Sequence, residues 1–166
     1  MDTMSFDAFG ALYNSPLETG IRAVVVLEHL RPVRVDLAEM VLFDHVVVHT
    51  GDHGGPPSLH TDLPDRKGEL LVRRRLVEHG LRLMQRCHLV AAACEDDGIS
   101  YHATDEAAAY LELLETPYSE QLKVCSSWIG DEVRRYSKAA FKERLRARIS
   151  DWADSFGTAD GPARQA

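Results

Sequence analysis

Apolar residues along this chain recur first at helical spacing, then by alternation, then at helical spacing again. The first helical set is Ile21, Val24, Val25, Leu27 and Leu30. Ahead of it stands Ser15-Pro16-Leu17-Glu18, which offers a capping hydroxyl, a proline suited to the first helical position and an acid at the capping-box place; Pro32 ends the pattern. The β-branched run Val24-Val25-Val26 is also compatible with a strand. Asp36-Leu37-Ala38-Glu39 repeats the start signal before Met40, Val41, Phe43, Val47 and Val48, predicting a second helix from about Leu37 to His49. A third helix is predicted from Gly68, with Leu70, Val72, Leu76, Val77, Leu81 and Met84 as its apolar stripe and Gly80 marking a bend or break.

The period then shortens. His88 to Cys94 and Ile99 to Thr104 flank an Asp97-Gly98 dipeptide, a hairpin signal, and Thr104 is placed to cap a further helix. Pro117 breaks that helix. Beyond it, Leu122, Ile129, Val133, Tyr136 and Ala140 continue at helical spacing, and Phe141, Leu145, Ile149, Trp152 and Phe156 resume after a one-residue shift. This order predicts a mainly α fold with a small β-hairpin: a winged helix-turn-helix with a C-terminal helical extension. Its expected parts are an irregular N-terminus over 1–14, the winged domain over 15–116 with a loop inserted at 50–67, the helical extension over 117–156, and a disordered tail over 157–166. The stripe Ile129, Val133, Phe141, Leu145 and Trp152 is longer than a small core needs. It either packs back on the domain or forms a helical interface for a second chain.

With 166 residues and 45% apolar content, the chain has material for one domain with a sizeable core. No apolar run approaches a membrane span, and Met1 to Asp7 lacks the features of a signal peptide, so a cytoplasmic location is expected. Cys87, Cys94 and Cys125 have neither a Cys-x-x-Cys spacing nor an even count; they are expected to be buried thiols. The formal charge of −7 excludes a surface built throughout for nucleic acid. Between Arg66 and Arg86, however, seven basic residues meet only Glu69 and Glu78. Arg73, Arg74, Arg75, Arg82 and Arg86 thus become candidates for phosphate or nucleic-acid contact on what would be the recognition helix, against the plainer reading of a solvated or protein-binding face.

Candidate chemistry concentrates in His49-Thr50-Gly51-Asp52-His53-Gly54-Gly55-Pro56-Pro57-Ser58-Leu59-His60, too rich in Gly and Pro for helix or strand. Asp44, His45, His49, Asp52, His53 and His60 could be imagined around zinc or iron, since His45 and His49 share a helix face. Val46 follows His45 where a metalloprotease has Glu, so that signature is incomplete. The favoured reading is that these side chains satisfy backbone groups of the loop, with no metal and no cofactor. No phosphate-loop pattern is present, and no nucleophile elbow surrounds Ser58.

The segments Asn14 to Ala23, His49 to Asp52, Gly54 to His60 and Gly68-Glu69-Leu70-Leu71-Val72-Arg73-Arg74 resemble the small middle component of bacterial ABC three-component conflict systems, related to Lamassu-type antiphage defence. The resemblance runs from about Tyr13 to Val133. It implies a non-catalytic winged-helix adaptor working with a Rad50- or SMC-like ABC ATPase and an effector, often a nuclease, with DNA contact made indirectly through the complex and no membrane association. His49, Asp52, Pro56, His60 and Glu69 are then residues that bind a partner or structure the loop. Two other classes remain open: a free-standing winged-helix transcription regulator, and a metal-dependent enzyme using His49, Asp52 and His60.

Overall fold

A computed structural model of the chain describes residues 15–60 and 69–157, with side chains over 15–60 and 72–150. The expectations for residues 1–14, for 61–67 of the inserted loop, for the tail beyond 157, and for the side chains of Glu69 and Trp152 lie outside the described residues.

The described chain is mainly helical with one two-stranded antiparallel sheet. Helix α1, Pro16–Leu30, starts where Ser15 accepts a hydrogen bond from the Glu18 backbone, and its valine run is helical and buried. Helix α2, Leu37–Val48, opens with a complete capping box between Asp36 and Glu39. Met40, Val41, Phe43, Val46, Val47 and Val48 are all buried, so α2 is apolar around most of its circumference and runs through the core. A 3-10 turn, Thr50–His53, follows.

Helix α3, Glu69–Arg86, continues through Gly80 without a break. The glycine serves packing instead. A Cβ at Gly80 would lie 2.7 Å from the Gly20 nitrogen, and one at Gly20 would lie 2.9 Å from the Gly80 carbonyl, so the bare backbones of α1 and α3 meet there. The inward stripe of α3 is also displaced from expectation. Val72 is 62% exposed, whereas Arg73 joins Val77, Leu81 and Met84 on the buried face.

Strands β1, Val90–Glu95, and β2, Gly98–Ala103, pair from Val90↔Ala103 to Glu95↔Gly98, which leaves Asp96-Asp97 as the two-residue turn. Gly98 is the first residue of β2, at φ 132°, a conformation that disfavours any side chain. Val35, between α1 and α2, forms an antiparallel bridge with Tyr101, bonded both ways at 3.1 and 2.7 Å. Thr104 does not cap the next helix, α4, Glu106–Glu112; its hydroxyl donates to the His88 carbonyl at 2.7 Å. Helix α5, Pro117–Tyr136, begins at Pro117, with Thr116 Oγ1 accepting from the Ser119 backbone at 3.1 Å. Among the described residues no helix is long and apolar enough to cross a membrane.

The chain divides into two compact units between Asp131 and Glu132. The second contains the end of α5 and helix α6, Lys138–Gly157, separated by Ser137 at φ 71°. That left-handed residue produces the one-residue shift in the apolar stripe. Within this unit Arg144 lies 3.2 Å from Glu132 and stacks 4.4 Å from the Tyr136 ring centroid. Val133, Phe141 and Leu145, like Ile129 in the first unit, are buried in the single chain.

Candidate functional site

Helices α1, α2 and α3 each direct one charged side chain to a common point in the interior. Arg22, Asp44 and Arg73 are 1%, 0% and 6% exposed. Arg22 Nε donates to Asp44 Oδ1 at 2.8 Å and its Nη2 to Oδ2 at 3.2 Å; the same Nη2 also donates to Thr19 Oγ1 at 3.3 Å. Arg73 Nη1 donates to Asp44 Oδ2 and, at 3.2 Å, to the Asp44 backbone carbonyl. One carboxylate therefore bridges two guanidinium groups. Burial opposes ionisation of Asp44 and Arg22, yet the mutual charges win: Asp44 stays below the usual carboxylate range, and Arg22 is held above its ordinary value by Asp44. Glu18, one turn before Arg22, is pushed upward, chiefly by burial and partly by Asp44, against the pull of Arg22.

Beside this cluster runs a string of rings. His45 and His49, four residues apart at the end of α2, have centroids 4.9 Å apart; His49 and His60 are 6.4 Å apart, and His60 and Tyr118 6.1 Å. His60 Nε2 and Tyr118 Oη share a hydrogen bond of 3.1 Å. His60 is pushed down to about 4 by burial, reinforced by the nearby Arg22, His49 and Arg73 charges. Burial pushes Tyr118 up, while Arg22 opposes that shift. Both shifts favour the neutral form of the group.

The loop is braced by its own polar groups, and by α5. Thr50 Oγ1 donates to the Pro56 carbonyl at 2.9 Å and lies 3.3 Å from Cys125 Sγ. Gly51 N donates to Ser58 Oγ, Gly55 N to the Thr50 carbonyl, and His60 N to the Val48 carbonyl. Gln121 Nε2 reaches the Pro57 carbonyl at 3.4 Å, and any Cβ on Gly55 would strike the Trp128 ring at 2.8 Å. The hydroxyl of Ser58 is thus engaged in the turn, and burial raises the Cys125 thiol even though Thr50 and Gln121 hydrogen bonds pull it down.

Of the loop residues singled out, His49 is buried, Pro56 and His60 are half-buried and Asp52 is exposed. The structure joins His49 and His60 through the ring string. Arg73 is separated from the other four arginines of α3: Arg74, Arg75, Arg82 and Arg86 are exposed, whereas Arg73 is turned inward by its bond to Asp44 and is not available to a phosphate. Cys87 and Cys94 are exposed, contrary to expectation, and Cys125 is buried. Among the described residues no group of three or more His, Cys, Asp or Glu is placed to hold a metal ion. Arg22 and Tyr118 were not anticipated as members of the site. The available signal was a lone arginine inside the apolar segment Ile21 to Val26, which demands a buried counter-charge.

In comparisons with known proteins, the model of the family ABC-three component (ABC-3C) system Middle Component 2 matches residues 12–155. No curated protein and no solved structure matches the chain.

Proposed function

Since the chain belongs to the Middle Component 2 family of ABC-three component systems, we propose that it is a non-catalytic adaptor subunit, coupling an SMC- or Rad50-like ABC ATPase to an effector in a cytoplasmic antiphage defence complex. The family match over residues 12–155 carries this reading. Two structural observations support it. Asp44, Thr50 and Ser58 are engaged in bracing the interior and the loop, and His60 and Tyr118 are both shifted toward their neutral forms. Three helices followed by a hairpin, with Val35 bridged to Tyr101, support the reading as a winged helix-turn-helix, a module that serves as well for protein docking as for DNA.

A free-standing DNA-binding regulator is the rival reading, favoured by Arg74, Arg75, Arg82 and Arg86 on the exposed face of α3. Co-expression of the tagged chain with the products of its neighbouring genes separates the two. The adaptor reading expects a stable complex that survives purification and contains an ATPase. A chain that purifies alone and shifts duplex DNA with steep salt dependence overturns it.

A further inference from the structure

Arg75, His79, Arg82 and Arg86 stand at i, i+4, i+7 and i+11, a single exposed stripe along about 16 Å of α3. Arg82 reaches Glu78 at 2.7 Å, but among the described residues no carboxylate pairs with Arg75 or Arg86. Alongside the stripe lies a groove of about 580 Å³, bounded by the start of α2, by α3 and by the hairpin. Leu37, Ala38, Ala92, Ile99 and Tyr101 supply most of its lining, and Arg82 belongs to both groove and stripe. Ile99 is 52% exposed, an aliphatic side chain left half open to water at the groove edge.

The apolar lining of the groove, between the arginine stripe and acids, discriminates between occupants. The hairpin tip presents Glu95, Asp96 and Asp97, all exposed, and Glu78 and Asp36 edge the groove. A duplex presents a continuous phosphate backbone with no apolar side chain to fill a groove lined mostly by Leu37, Ala38, Ala92, Ile99 and Tyr101. A short peptide with a few carboxylates on one face and aliphatic residues on the next sets the carboxylates against Arg75 and Arg86 and the aliphatic side chains in the groove. We propose that this surface docks an acidic amphipathic segment of a partner protein. The assignment rests on the adaptor reading only for the source of that segment, which would belong to the ATPase or the effector.

Fluorescence anisotropy on the full chain tests it, with three labelled probes: an amphipathic peptide of about 18 residues bearing leucines at i, i+3, i+4 and i+7 with glutamates between, the same peptide with lysines for glutamates, and a duplex of about 20 base pairs. The glutamate peptide is expected to bind at physiological salt while the lysine peptide and the duplex do not. Arg75→Glu with Arg86→Glu, and separately Ile99→Asp, should each weaken it at least about tenfold, with thermal unfolding unchanged because these side chains are exposed. Absence of glutamate-peptide binding, tighter binding of the duplex, or indifference to both variants overturns the proposal. Peptide binding that persists in a chain failing to co-purify with its gene neighbours would remove the adaptor reading alone.

Discussion

Replacing Asp44 by asparagine removes the one negative charge that lies between two buried guanidinium groups. The side chain keeps its size, and its amide oxygen can still accept from Arg22 Nε, so packing changes little. What changes is that Arg22 and Arg73, 1% and 6% exposed, lose the carboxylate to which both donate. Breaking a buried pair in this way typically costs about 3–5 kcal/mol, because the remaining charge keeps its desolvation penalty without compensation. Against a total of about 5–15 kcal/mol for a typical domain, the loss is large. For a chain of this length it corresponds to a fall in Tm of roughly 6–20 °C. Arg73→Met should cost less, about 1–3 kcal/mol, since it leaves Arg22 and Asp44 as a neutral, bidentate pair. The combined Arg22→Met, Asp44→Leu, Arg73→Met chain should lie close to the parent. Urea unfolding followed by far-UV circular dichroism ranks the four proteins. An Asp44→Asn chain within about 1 kcal/mol of the parent, or an Arg73→Met chain less stable than Asp44→Asn, would refute the account of the cluster as mutually dependent charges.

His60 imposes a pH dependence. Its folded value, about 4, lies below the ordinary 6.5, so folding favours the neutral ring. The stabilisation is complete above about pH 6.5 and is lost as pH falls through 6 and 5 toward 4, by about 1 kcal/mol at pH 5 once solvent screening of this half-buried group is allowed for. His60→Gln should flatten that part of the stability–pH curve measured by urea titration; an unchanged slope would show that the ring is not the responsible group. Gly80→Ala should lose about 1–3 kcal/mol despite the better helix propensity of alanine, because its Cβ meets the backbone of α1 at 2.7 Å; a stabilised variant in thermal melts would contradict the observed crossing. Thr50→Val keeps the shape but leaves the Pro56 carbonyl without its donor, and about 1 kcal/mol of stability should go with it.

The helix starts and the hairpin were legible because their signals are local. Ser15-Pro16 and the Asp36–Glu39 box act within a single turn, and the alternation around Asp96-Asp97-Gly98 needs no information from elsewhere in the chain. The finer assignments failed where a distant partner decides. Gly80 reads as a helix breaker until Gly20 is placed against it, and Thr104 reads as a cap until His88 offers it a carbonyl. Val72 and Arg73 are the sharpest case. Hydrophobicity alone places the valine inward, but Asp44, 29 residues earlier and fully buried, offers a carboxylate oxygen and a backbone carbonyl to a donor on α3, and only the arginine of the two neighbours can donate to them.

That exchange fixes more than two side chains. Successive residues on a helix differ by about 100°, so turning Val72 inward instead would rotate α3 by that amount and carry the stripe Arg75, His79, Arg82 and Arg86 around its axis with it. The buried bond from Arg73 to Asp44 therefore sets the rotational phase at which the exposed arginines flank the groove beside Ile99. A core charge that contributes little net stability can still contribute a direction, which is a use consistent with retaining ions where apolar residues would pack as well. The all-apolar triple variant separates the two roles: if phase is the contribution, that chain stays as stable as the parent but loses affinity for the glutamate peptide, although none of its three substitutions touches the groove.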